Sequence, residues 1–181
     1  MKKISLLLIL IACIGIGINL SCEADDICPE STPTTPSLII EAYDTVNTEN
    51  KKNISNLLVA GVDNDYVLPG YGIVSASKIV LPLKTDANTT QFVFIKDAAV
   101  NNNGTPDDTS DDTITGNQDV ISINYTREEV YVSRACGYKT IYKNVTVTIE
   151  PDADNWIKSV IPVNENQTVE DETETHFNIY H

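Results

Sequence analysis

Apolar residues recur in short runs of period two through residues 37–181, and turn residues separate the runs. Ser37–Asp44 (SLIIEAYD) reads as a first strand, and Asn53–Val62 holds a second apolar run. Gly72–Leu83 alternates small or polar with apolar residues, and Pro82 marks an edge or an end. Gln91–Lys96 (QFVFIK) is rich in aromatic and β-branched residues, which favour a pleated surface. Asp119–Tyr125 sets Val120, Ser122 and Asn124 on one face and Ile121, Ile123 and Tyr125 on the other. Glu129–Ala135, Lys139–Glu150 (with Ile141, Val145, Val147 and Ile149), Asn155–Val163 and His176–Tyr180 complete the set. Beyond the N-terminal run described next, no long segment keeps a helical period. The pattern predicts an all-β fold: a single antiparallel β-sandwich, Ig-like or related, of about eight strands, rather than a barrel. No internal repeat is visible. Val100–Asp119 stands out as a long, acidic, turn-rich loop.

The first residues follow a different grammar. Lys2 and Lys3 precede an uncharged apolar run, Ile4–Leu20, and Ser21 precedes Cys22. A basic start, an apolar core and a small residue before the cut define a secretory signal. A spanning helix needs about 20 apolar residues, and this run is shorter and carries Gly15, Gly17 and Asn19. The expected organisation is a lipoprotein signal peptide over residues 1–21, an acidic, Pro-rich tether over 22–36, and a β-sandwich domain over 37–181. Cys22 is then the lipidated residue. Leu10-Ile11-Ala12-Cys13 fits the general bacterial lipobox more closely, because Asn19 replaces the usual leucine before Cys22. Cleavage at Cys13, however, would leave Ile14–Leu20 as an apolar tail and three further cysteines, so Cys22 is preferred.

Charge narrows the partners. The segment up to Ser21 carries two lysines and no acid, so the remainder has 10 basic and 26 acidic residues, a formal charge of −16. Such a chain repels nucleic acid and anionic headgroups, and it is soluble. With Cys22 acylated, Cys28 and Cys136 remain. Outside the cytoplasm two such cysteines either pair or stay as free thiols, and pairing is the expectation. A disulfide closing a loop of roughly 100 residues stabilises by about 4–5 kcal/mol in the chain-entropy account. It would also shorten the tether. Glu23–Pro36 could reach about 50 Å when extended, whereas Glu23–Ile27 alone reaches about 20 Å.

Catalytic patterns are sparse. Asp107, Asp108, Asp111 and Asp112, with Asn101 and Asn103 nearby, offer oxygens for calcium. The EF-hand template fails, since placing Gly104 at its glycine puts Ala99 first and Ser110 last, where acids belong. Cys136 in Arg134-Ala135-Cys136-Gly137 lacks a nearby base in sequence, and His176 and His181 lie five apart, on opposite faces of a strand. No Gly-x-Ser-x-Gly motif, phosphate-binding glycine loop or zinc constellation is present. Trp156 is expected in the core. Tyrosines 66, 71, 125, 131, 138, 142 and 180 line either a sugar-binding face or strand interiors.

Several separated motifs share one resemblance. Cys22-Glu-Ala-Asp-Asp-Ile-Cys28, Thr35-Pro-Ser-Leu-Ile-Ile40, Val132-Ser-Arg-Ala-Cys-Gly-Tyr138, Asp154-Asn-Trp-Ile157 and His176-Phe-Asn-Ile-Tyr-His181 are similar to a family of small Bacteroidota (flavobacterial-type) envelope lipoproteins of unknown function. The resemblance implies an outer-membrane lipoprotein and a Cys28/Cys136 disulfide, and it brings no activity. Glu23, Asp25 and Asp26 resemble signals that send such lipoproteins to the cell surface. Asp44-Thr45-Val46 and Asp112-Thr113-Ile114 resemble the phylum's short O-glycosylation motif, which implies glycans at Thr45 and Thr113. The expected role is a non-catalytic structural or interaction module, attached to the membrane through its N-terminal lipid and facing an envelope protein or glycan. No cofactor is expected. The alternative is a calcium- or glycan-binding module using loop 101–119.

Overall fold

The computed structural model describes residues 27–62 and 66–181. The expected signal segment, Cys13, Cys22 and the acids Glu23, Asp25 and Asp26 lie outside them. The chain divides into two compact units: one holds the residues up to Pro33 together with Val130–Lys139, the other holds Thr34–Glu129 and Thr140–His181. Nine strands form: β1 (Leu38–Tyr43), β2 (Ile54–Gly61), β3 (Val67–Ala76), β4 (Lys78–Leu81), β5 (Thr89–Asn101), β6 (Thr113–Ser133), β7 (Gly137–Ile149), β8 (Ser159–Pro162) and β9 (Phe177–Tyr180). Among the described residues there is no helix. The all-β expectation holds.

In the larger unit the strands make a sandwich of two sheets, ordered β4-β1-β9-β8 and β3-β2-β5-β6-β7. Neighbours β1–β4, β8–β9, β2–β3, β2–β5 and β5–β6 run antiparallel, while β1 and β9 pair in parallel. Period-two alternation explains the core. Leu38, Ile40 and Ala42 of β1, Ile79 and Leu81 of β4, and Phe177 and Ile179 of β9 point inward from one sheet. Leu57 and Val59 of β2, Phe92 and Phe94 of β5, and Ile121, Ile123 and Tyr125 of β6 meet them from the other. Fully burying each aliphatic or phenyl side chain contributes about 1.5–3 kcal/mol. The partition of Asp119–Tyr125 into two faces is therefore correct.

Asp119 shares the parity of Ile121 and Ile123, and it is fully buried. Its carboxylate accepts the backbone N–H of Trp156 (3.2 Å) and of Ile157 (2.7 Å). These two residues lie where the chain leaves β7 of the five-stranded sheet for β8 of the other. Trp156 is buried as expected, with its indole N–H donating to the Phe94 carbonyl at 3.4 Å.

Four local readings need correction. Gly72–Leu83 is not one strand: it belongs to β3 and β4, which enter different sheets. β3 also begins five residues earlier, at Val67, where Pro69 and a left-handed Gly70 conceal the strand pattern. Residues 101–119 are not all loop. The ladder pairs Phe94 with Asp119, Ala99 with Thr115 and Asn101 with Thr113, so the turn spans only 102–112. Beyond Ala98 both faces of that ribbon are solvated, so polar Thr113 and Thr115 stand beside exposed Val100 and Ile114 and no one-sided alternation marks the strand. Asp119–Tyr125 and Glu129–Ala135 are parts of one strand, β6, of 21 residues. In β7, Asn144 adopts a left-handed φ of 52° and interrupts the alternation, so Tyr142 and Val145 are both fully buried. Gly116 (φ 139°) packs where a Cβ would lie 2.8 Å from the Lys96 carbonyl, which is why no larger residue fits beside the β5–β6 irregularity.

Asp119→Ala leaves two buried N–H groups without an acceptor. Each costs about 1–3 kcal/mol, so urea unfolding should show a loss of roughly 2–5 kcal/mol. A change below about 0.5 kcal/mol would mean the carboxylate does not hold the crossover.

Candidate functional site

The smaller unit is built around the turn between β6 and β7. Arg134, Ala135 and Cys136 form that turn, and Gly137 closes it in the left-handed region (φ 70°), where a Cβ would add strain. The Cys136 N–H donates to the Ser133 hydroxyl at 3.0 Å, which fixes the cysteine's orientation. Cys136 is disulfide-bonded to Cys28, with an S–S distance of 2.04 Å and a Cα–Cα distance of 4.9 Å. The expected pair is present. The Thr32 hydroxyl lies 3.6 Å from the Cys136 sulfur. Tyr131 and Tyr138 flank the turn edge to face, with centroids 5.4 Å apart, and both are exposed. Ile27 is 78% exposed. Ile27, Pro29, Thr32, Tyr131 and Arg134 are among the residues lining a surface groove of about 560 Å³.

The four loop aspartates do not converge. Among the described residues no three acidic, histidine or cysteine side chains are placed to hold a metal ion. Two of the aspartates serve the turn instead. Asp108 accepts from the Ser110 N–H (3.0 Å) and hydroxyl (2.6 Å), and Asp111 accepts from the Thr105 hydroxyl at 2.9 and 3.0 Å. The Ser110 contacts hold the Asp108 carboxyl below its usual range. Asp107 lies exposed on the same turn, and Asp112 is half-buried.

Thr45 and Thr113 are both exposed. Thr45 sits in a bend ordered by Asp44, whose carboxylate accepts the Val46 and Asn47 N–H groups and pairs with Lys52 at 2.9 Å. The Lys52 bond, followed by these backbone bonds, lowers the Asp44 pKa to about 2.

Several other polar side chains of the interior bond to the backbone or to one another. The Thr90 hydroxyl lies 2.6 Å from the Tyr125 hydroxyl and accepts the Lys84 N–H. Gln91 donates to Ser122, which donates to Glu150, each at 2.7 Å. His176 Nδ1 accepts the Ile39 N–H at 2.9 Å, and His181 Nε2 lies 3.3 Å from the Lys52 carbonyl. Each imidazole is thus bonded to backbone, with His181 edge-on to Trp156. The tyrosines divide: Tyr125 and Tyr142 fill the core, while Tyr66, Tyr131 and Tyr138 are exposed. A second groove, of about 540 Å³, includes Tyr66, Leu68, Pro82 and Phe92 in its wall.

The sequence reading missed Asp119 and the tyrosine pair. Parity with Ile121 and Ile123 was the available signal for the first. Position on either side of the Arg134–Gly137 turn was the signal for the second.

Fold and site define a two-sheet β-sandwich with one disulfide at a hairpin turn. The chain belongs to the family of unknown function DUF6452, whose model matches residues 56–181. No curated protein and no solved structure matches the chain.

Burial pushes both imidazoles below the usual value of 6.5, against the pull of Asp171 on His176 and of the Lys52 carbonyl on His181. Unfolding restores the ordinary value, so below about pH 6.5 the unfolded chain binds more protons. Their contribution is complete above that pH and is lost as pH falls through it. The urea midpoint should therefore drop between about pH 7 and 5. His176→Asn, which keeps an acceptor near the Nδ1 position, should flatten that slope. An unchanged slope would assign the pH dependence elsewhere.

Proposed function

We propose that the chain is a lipid-anchored envelope protein of the outer membrane, acting as a non-catalytic structural or interaction module. In this reading residues 1–21 are a signal peptide, Cys22 carries the lipid, and the acidic residues that follow form a short tether. The disulfide carries the proposal. Cys28 bonded to Cys136 belongs to an oxidising compartment, as a bacterial periplasm or cell surface provides. It also leaves only Glu23–Ile27 between the lipidated cysteine and the cross-link. That spacer extends to about 20 Å, so the cross-linked turn stays close to the bilayer. Bacterial lipoproteins carry two or three acyl chains, and stable attachment takes more than one. The polar groups of the interior give backing to the non-catalytic reading, because the imidazoles and Asp119 are each bonded to backbone groups. A partner that meets this protein must come to the membrane surface.

Metabolic labelling with palmitate tests the anchor. The wild-type chain and Cys13→Ala should take up label, and Cys22→Ala should not. Label retained in Cys22→Ala but lost in Cys13→Ala would move the anchor to Cys13. Label absent from the wild type would remove it.

A further inference from the structure

We propose that the turn between β6 and β7 is a membrane-contact surface, which inserts Tyr131, Tyr138 and Ile27 at the headgroup level of the bilayer. The inference rests on the anchoring at Cys22 proposed above and adds an orientation to it. Three observations carry it, all within the smaller unit. First, the unit exposes large apolar side chains together: Tyr131 is 58% exposed, Tyr138 66% and Ile27 78%. Tyrosine is amphipathic, with a ring that enters the apolar boundary and a hydroxyl that stays among polar headgroups, which is why it concentrates at membrane interfaces.

Second, the turn and the described residues cross-linked to it are less acidic than the chain. They carry Arg134 and Lys139 against Glu30, while the whole chain has a formal charge of −14. The overall charge argues against anionic lipid. Screening limits that argument, however, since charges more than about 8 Å apart are largely masked at physiological ionic strength. At the turn itself Arg134 is the charge that faces lipid phosphate, while Glu23, Asp25 and Asp26 of the spacer oppose it, so the apolar side chains and the short covalent path carry the contact. Arg134 is exposed, and its guanidinium suits bidentate phosphate contact.

Third, the covalent path fixes the distance. Cys28 is bonded to the turn itself, so the spacer of Glu23–Ile27 holds this turn within about 20 Å of the lipid. A surface confined so near the bilayer samples it at high effective concentration, and a modest apolar patch then suffices.

Bromolipid quenching reads the contact directly. The full-length protein, purified from membranes with its native N-terminus, is reconstituted into phosphatidylcholine–phosphatidylglycerol vesicles with or without brominated acyl chains. An indole is introduced by Tyr131→Trp in one protein and by Tyr66→Trp in another. Trp156, buried, supplies a constant background, and flotation of the same samples reports anchoring separately. The expected result is loss of the added emission at position 131 and a blue-shift in plain lipid, with neither at position 66. Protein that floats but shows no loss at position 131 overturns the contact and leaves the anchor standing. Protein that fails to float overturns both. Equal loss at positions 131 and 66 also overturns the contact, because the turn would then have no preferred place at the bilayer.

Discussion

The Cys28–Cys136 bond is the constraint on which the placement of this chain depends. It joins residues 108 positions apart, and the loop it closes contains β1 to β6. In the chain-entropy account a loop of that length removes about 4–5 kcal/mol of freedom from the unfolded state. The same bond binds the start of the described chain to a tight turn whose own geometry is set by Gly137 and the Ser133 hydroxyl. A single covalent link thereby limits unfolding and, in the proposed anchoring, sets how short the tether is.

Within that loop, one buried carboxylate organises the step between sheets. Two sheets can share a core only if the chain crosses between them, and the crossing exposes backbone N–H groups to an apolar interior. Asp119 accepts two of these at Trp156 and Ile157. The edges are handled by similar means. Beside β4, at the border of the four-stranded sheet, the Tyr71 hydroxyl accepts the Val80 N–H at 2.8 Å. Beside β7, Val169 exchanges both backbone hydrogen bonds with Tyr142. Such contacts occupy groups that an open strand would offer to a neighbouring chain.

The sequence showed the fold class and much of the core, because one-sided burial imposes period two on Leu38–Ala42 and on Ile121–Tyr125. It was silent where that condition fails. Beyond Ala98 the paired ends of β5 and β6 have two solvated faces, so no one-sided alternation marked them as strand. Asn144 shifted the parity of β7, and no residue type announces such a shift in advance. Cys28 and Cys136 were the expected pair once Cys13 and Cys22 were assigned to the signal and the lipid, and the family resemblance implied the same bond. The exposed tyrosine pair was not, because exposure depends on how the hairpin ends and period alone does not report it. The acidic loop drew attention for its carboxylates, yet Asp108 and Asp111 are engaged by Ser110 and Thr105 of their own turn.

In the proposed anchoring one cysteine carries lipid and the next two are joined. The intact mass of the native protein, measured after alkylation without reduction and again after reduction and alkylation, tests this in a single preparation. The expected mass is that of residues 22–181 with acyl groups on Cys22, with Cys28 and Cys136 alkylated only after reduction. Mass beyond the lipid would reveal glycans, with Thr45 and Thr113 the first positions to inspect. A chain beginning elsewhere without acyl mass, or Cys28 and Cys136 alkylated before reduction, would overturn the proposal.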